Sequence, residues 1–148
     1  MAPGGFFGRV LLVDVDGREA TGTAVGLPER VLRSYLGGVG LGTWLMHRFA
    51  PAGVDPLAPE APLAFVFSAL VGTPLTTSAK FAVVAKSPLT GLLTDALASS
   101  RFAISGKLTG HDAIVIRGRA AETSVLLVDG AAVREAKDRP GRHGENYY

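Results

Sequence analysis

The stretch Gly72–Gly91, GTPLTTSAKFAVVAKSPLTG, constrains the fold of this chain more than any other. Its apolar run Phe81–Ala85 is bounded on both sides by polar, turn-forming residues, which is the pattern of a buried strand. The segment after it, Lys86-Ser87-Pro88-Leu89-Thr90-Gly91, is a turn with a mechanism in its residues. Pro88 fixes its own φ and holds Ser87 extended, and Gly91 takes φ > 0 without steric cost. A strand entered through Thr73, Pro74, Thr76, Thr77 and Ser78 presents Ser78 and Lys80 at one sheet edge.

The rest of the chain supplies partners for that strand. Arg9–Val15 alternates loosely and runs into Asp16-Gly17, a hairpin signal, so Arg18–Val25 reads as the returning strand with Thr21 and Thr23 on one face. Pro28 followed by Glu29 marks a helix start, and Val31, Leu32, Tyr35 and Leu36 recur at helical spacing. Gly37-Gly38-Val39-Gly40 either ends that helix or lets two backbones approach closely. A phosphate-binding glycine loop would need a strand before it, and here a helix precedes. Leu41–Phe49 resumes the helical pattern with Trp44, Leu45 and Phe49. After the proline-rich loop Ala50–Pro62, Leu63–Leu70 reads as a strand buried on both faces. Leu92–Gly110 has no single period, because Ser99, Ser100 and Arg101 interrupt an apolar background. Ala113–Ile116 and Ser124–Val128 read as strands, and Asp129-Gly130 turns the chain into Ala132–Ala136. Many short strands with one or two helices predict a sheet-dominated α+β domain over residues 1–136. Residues 137–148 form a polar tail in which Tyr147 and Tyr148 are candidate docking residues.

Composition narrows the function classes. At 148 residues the chain is long enough for one substantial core, and 47% hydrophobic against 19% charged residues is a globular balance. The formal charge is only +2, with its arginines and lysines scattered, so no nucleic-acid partner is expected. The cysteine count of 0 excludes disulfides, thiolate metal sites and any iron–sulfur cluster ligated by these residues. His47, His111 and His143 lie far apart without a metal-ligand spacing, so no metal site is expected. The opening MAPGGFFGRVLLVDVDG has no basic n-region and is broken by Asp14 and Asp16. No signal peptide, no membrane partner and a cytoplasmic location are the expectations.

Several blocks in collinear order resemble the N-terminal domain of the tungsten-dependent aldehyde ferredoxin oxidoreductases, over about residues 6–130. The Lys86–Gly91 segment is similar to the family's Lys-Ser-Pro-Leu-Thr-Gly. Phe7–Leu11 through Asp16-Gly17 resembles its opening hairpin, and Tyr35–Gly42 its Tyr-Leu-Gly-Gly-Arg-Gly-Leu-Gly. Gly53–Glu60 and Gly110–Ile116 match further blocks. The resemblance implies two packed, mostly antiparallel sheets forming a base on which a metal-bound pterin sits. It also implies that later domains of the full-length enzymes supply the cluster cysteines and most of the substrate pocket. Within the shared region several positions differ. Lys80 stands where the family pattern has arginine, which loses the planar fork. Val39 replaces another arginine, Leu97-Ala98-Ser99-Ser100 stands for Asn-Ser-Gly-Gly, and Ser68–Thr73 replaces Gly-Pro-Leu-Thr-Gly-Thr. Each change removes polarity or a special backbone residue, so no tungstopterin or molybdopterin cofactor is expected on this chain.

A cofactor face made more apolar suggests a small-molecule pocket with a few convergent polar groups. The candidate substrate-binding residues are Trp44, Thr77, Ser78, Leu97, Ser99 and Phe102, with Phe65, Phe67 and Leu75 as further apolar lining. Lys80, Asp95 and Arg101 are the candidate catalytic residues, with His111 as another proton-transfer group. Each also has a structural reading: Lys80 as a solvated strand-end charge, Arg101 as a snorkelling side chain, and Asp95 as a turn or helix-cap residue. Trp44 and the phenylalanines read equally as core, and His111 as a surface histidine. Ala, Arg and Gly richness with few lysines suggests a high-GC bacterial genome, where secondary-metabolite pathways reuse small domains. The expected function is a cofactor-independent cyclase or isomerase that binds its small-molecule ligand in a near-attack conformer. The alternative is a non-catalytic or pterin-contacting subunit of a split tungsten or molybdenum aldehyde ferredoxin oxidoreductase. Its apolar face would then dock on a cysteine-bearing partner, and exposed sheet edges also allow a homodimer.

Overall fold

The structure, a computed structural model, describes residues 4–17 and 19–137. Val10, Leu11 and Val13 of strand β1 (Arg9–Asp14) are all fully buried, so this strand carries core on both faces and sits inside a sheet. It pairs antiparallel with β2 (Thr21–Gly26) and parallel with β6 (Ala113–Arg117). β6 continues antiparallel to β3 (Leu63–Phe67), then β4 (Lys80–Lys86) and finally β5 (Leu93–Ser99), giving the order β2-β1-β6-β3-β4-β5. A second sheet is the hairpin β7 (Ser124–Asp129) and β8 (Ala132–Lys137). The two sheets, mostly antiparallel, are those the sequence resemblance implies.

Two layers cover the large sheet. On one face, α1 (Glu29–Tyr35) and α2 (Gly38–Phe49) bring Val31, Leu32, Leu41, Leu45 and Met46 onto Val10, Ala64, Val66, Ala82 and Val84. On the other, Leu11, Val13, Phe67 and Ile114 pack under Leu126, Val128 and Val133 of the hairpin. α2 can lie this close because residue 42 is glycine: an added Cβ would run into Val84. Gly42→Ala should therefore overpack the α2–β4 contact and cost about 1–3 kcal/mol, read as a lower midpoint in urea unfolding with an unchanged slope.

Among the described residues three helices form, where one or two were expected. The third, α3 (Arg101–Leu108), and strand β5 lie inside Leu92–Gly110, where the hydrophobic pattern is broken. The break has a local cause: Ser100 is the N-cap, its hydroxyl accepting the Phe102 amide at 3.1 Å, so one polar cluster both ends a strand and starts a helix. Two bounds also shift. β3 stops at Phe67 because the Ser68 hydroxyl takes the Leu70 amide at 3.2 Å and opens a turn. β2 runs Thr21–Gly26, so the expected strand starts later and extends one residue past Val25. The turn after β4 forms as its residues require: Ser87 N–H donates to Leu92 O at 2.8 Å, Gly91 N–H to Ser87 O at 2.8 Å, and Gly91 has φ 70°. The tail with Tyr147 and Tyr148 lies outside the described residues. Among those described, no helix is long and apolar enough to cross a membrane.

Candidate functional site

The sheet ends in an uncovered arm. Every residue from Pro88 to Phe102 is exposed, including all of β5, whose outer edge has no neighbouring strand in the sheet. The register explains which side chains share a face. Lys80 pairs with Ser99, Ala82 with Leu97, Val84 with Asp95 and Lys86 with Leu93. Ala82 and Val84 are buried under α2, so Leu93, Asp95, Leu97 and Ser99 point to the same side. α2 covers β3 and β4 but stops short of β5, leaving Leu97 68% and Leu92 69% exposed.

The candidate site residues are distributed around this arm and do not close on one cavity. Asp95 is neither a cap nor a turn residue; it sits mid-strand in solvent. Lys80 is an exposed strand-end cation, and Arg101 is the exposed first residue of α3. Thr77 is exposed with φ 59°, and the Ser78 hydroxyl reaches Thr73 O at 3.5 Å. Trp44 is half-buried on α2 against the helical-face core. Phe102 lies on the opposite face, its ring 4.9 Å from Phe81, 5.6 Å from Phe65 and 6.2 Å from Phe67. Phe65 and Phe102 line a recess of about 250 Å3 with Ile114, Leu126 and Val128, and none of Lys80, Asp95 or Arg101 lines it. Phe67 is fully buried core.

A buried polar cluster stands apart from these residues, and the sequence alone did not reveal it. Asp112 is 0% exposed and its carboxylate accepts four hydrogen bonds. Oδ1 takes Phe7 N at 3.1 Å and Lys107 Nζ at 2.6 Å; Oδ2 takes Gly8 N at 2.7 Å and Arg9 N at 3.4 Å. Lys107 is itself buried, its ammonium 5.6 Å and 5.3 Å from the ring centroids of Phe6 and Phe7. The donors on Phe7–Arg9 lie more than a hundred residues from Asp112, so no local pattern could reveal them. What was visible was only the block Gly110–Ile116 and a lysine five positions before the aspartate.

His111 is not a surface histidine. It is 1% exposed, with Nδ1 3.3 Å from the Thr109 hydroxyl and Nε2 without a hydrogen-bond partner among the described residues. Burial, with the Arg9 guanidinium adding to it, holds its imidazole below the usual histidine range, against opposing contributions from Thr109 and Asp112. The unfolded chain therefore takes up this proton first as pH falls. Stability from the neutral imidazole is complete above the ordinary value of 6.5 and is lost as pH falls through it. Wild type should lose more melting temperature than His111→Gln between about pH 7.5 and about pH 5; parallel melting curves would contradict this. Among the described residues, no group of three His, Asp or Glu side chains could hold a metal ion.

Comparison with known proteins places this geometry. A family model described as aldehyde ferredoxin oxidoreductase, N-terminal domain, matches residues 10–146. A tungsten-containing aldehyde ferredoxin oxidoreductase of Pyrococcus furiosus is 39% identical over 100 residues, covering 68% of this chain and 16% of its own length. An aliphatic sulfonate oxidoreductase, WOR-like subunit, of the same organism is 32% identical over 142 residues, covering 93% of this chain and 22% of its own. Among solved structures, the active-site complex BamBC of benzoyl coenzyme A reductase, in complex with 1,5-dienoyl-CoA, matches with a TM-score of 0.82. It is 29% identical and covers 90% of this chain and 20% of that one. The sequence thus spans about a fifth of the length of the proteins it matches.

Proposed function

Because the chain belongs to the aldehyde ferredoxin oxidoreductase family, matching its N-terminal domain, we propose that it is the scaffold part of an oxidoreductase of that kind. It docks through the β4–β5 arm on a polypeptide that carries the cysteines and the rest of the metal site. The observation that carries this reading is the arm itself. Among the described residues this strand is exposed along its whole length and has a neighbour on one edge only, β4, and the arm presents Leu89, Leu92 and Leu97 to solvent.

The metal-bound pterin that the family implies does not fit the donors of this surface taken by itself. Leu97 and Ala98 offer no polar side-chain atom, the Ser100 hydroxyl already accepts Phe102 N and keeps one O–H to donate, and Lys80 supplies a point charge rather than a fork. The role proposed for the chain is therefore to shape and cover, with no reaction step of its own.

The test is native mass spectrometry of the tagged chain purified from its own host, with metal analysis of the same sample. A hetero-complex with a cysteine-bearing polypeptide is expected. Leu97→Arg and Leu92→Arg, both at exposed positions, should leave the melting temperature within about 1–2 °C of wild type yet elute without the partner. A lone chain or a homodimer overturns the reading. Tungsten or molybdenum bound to the isolated chain overturns the statement about its donors.

A second reading, a cofactor-independent cyclase or isomerase, is favoured by one observation, the apolar recess beside Phe65 and Phe102. It requires an organic small molecule to copurify with the lone chain and to be lost in Phe102→Ala.

A further inference from the structure

A second recess lies on the α2 side of the sheet, where α2 ends, the 50–54 loop leaves, and the β4–β5 hairpin turns. We propose that it is a binding site for a small amphipathic anion, an apolar body carrying one carboxylate. Its volume is about 460 Å3, inside the range of small-molecule sites. Met46, Leu92 and Leu93 supply apolar surface, Lys86 supplies an ammonium, and His47 supplies an imidazole that can donate a hydrogen bond. No acidic side chain lines it.

The position follows from the register. Lys86 pairs with Leu93 and stands on the same face as Val84, at the end of the strand near the last turn of α2. Its aliphatic stem can therefore lie along apolar surface while the ammonium reaches the loop. There Nζ donates to Val54 O at 2.6 Å, which fixes the head group at the wall of the recess. An ammonium has three donors, and this bond uses one. His47, in the last turn of α2, is exposed at the rim. Asp55 Oδ1 takes Leu57 N at 2.8 Å, and Asp95, on the same face as Lys86 but paired one step further along with Val84, is outside the lining. Apolar surface beside one ammonium and an imidazole donor selects for a monoanion with a hydrophobic body over both a bare anion and a neutral hydrocarbon. A carboxylate bonded to Lys86 forms a charge-assisted contact. Because that contact is only partly shielded from water, the affinity is modest, with a Kd on the order of 1 mM.

The experiment is a titration of the 15N-labelled chain with benzoate, with benzamide as the uncharged match of the same shape and sodium phosphate as the bare anion. Benzoate should give saturable amide shifts at His47, Val54, Leu92 and Leu93, with benzamide and phosphate each at least about tenfold weaker. Lys86→Met and His47→Ala should each weaken benzoate. His47→Ala removes an exposed side chain with no bond to the loop, so it separates loss of the anion contact from any loosening caused by Lys86→Met. Equal binding of benzamide, shifts that grow linearly without saturation, or unchanged affinity in His47→Ala overturns the proposal.

Discussion

Asp112→Ala should unfold this domain or bring it to the edge of unfolding. The substitution leaves the Lys107 ammonium buried without its counter-charge and three backbone amides, on Phe7, Gly8 and Arg9, without their acceptor. Breaking a buried pair by removing one partner costs about 3–5 kcal/mol, and each half-buried amide left without its acceptor adds at most about 1 kcal/mol, because water reaches it in part. A total near the low end already matches much of the stability of an ordinary domain, about 5–15 kcal/mol. The expected result is a melting temperature lower by about 10–20 °C or no cooperative transition. Combining Asp112→Ala with Lys107→Met tests the cause. If the orphaned charge dominates, the double variant is more stable than Asp112→Ala alone; if the amides dominate, it is no better. A fall of less than about 2 °C in Asp112→Ala would mean that the cluster contributes little to the fold.

Phe67→Ala should be nearly as damaging, for an apolar reason. The Phe67 ring is fully buried in the core beneath the β7–β8 hairpin, and it lies so close to α3 that no Cβ fits at Gly106. Truncation opens a cavity walled by a helix and a sheet that cannot both collapse into it, which costs about 3–5 kcal/mol. Phe102→Ala, which removes a ring already 45% exposed, should cost less than half as much in the same denaturant series. Equal losses at the two positions would show that both rings are core. A small loss at Phe67 would show that α3 moves in to fill the space.

The arm and the polar cluster also differ in what holds them. Asp112 ties the start of β1, the end of α3 and the start of β6 into one unit, and its own carbonyl accepts Phe67 N at 2.9 Å. Among the described residues, β5 is held by its pairing with β4, by the Ser87 turn at one end and by the Ser100 N–H to Ala79 O bond of 3.2 Å at the other. Local opening should therefore begin at β5, which suits a segment completed by a partner.

The sequence by itself determined the local geometry. Short strands, the turns at Lys86–Gly91 and Asp129-Gly130, the helical spacing after Pro28 and the family's ordered blocks all depend on neighbours within a few residues, where periodicity and turn chemistry act. Only the tertiary structure decided which side chains meet. It placed Trp44 and Phe102 on opposite faces of one sheet, buried His111, and joined Asp112 to amides at the other end of the chain. It also left β5 uncovered, because α2 ends before reaching it. Strand order sets all of these, and it depends on long-range pairing, whose partners no window of sequence contains.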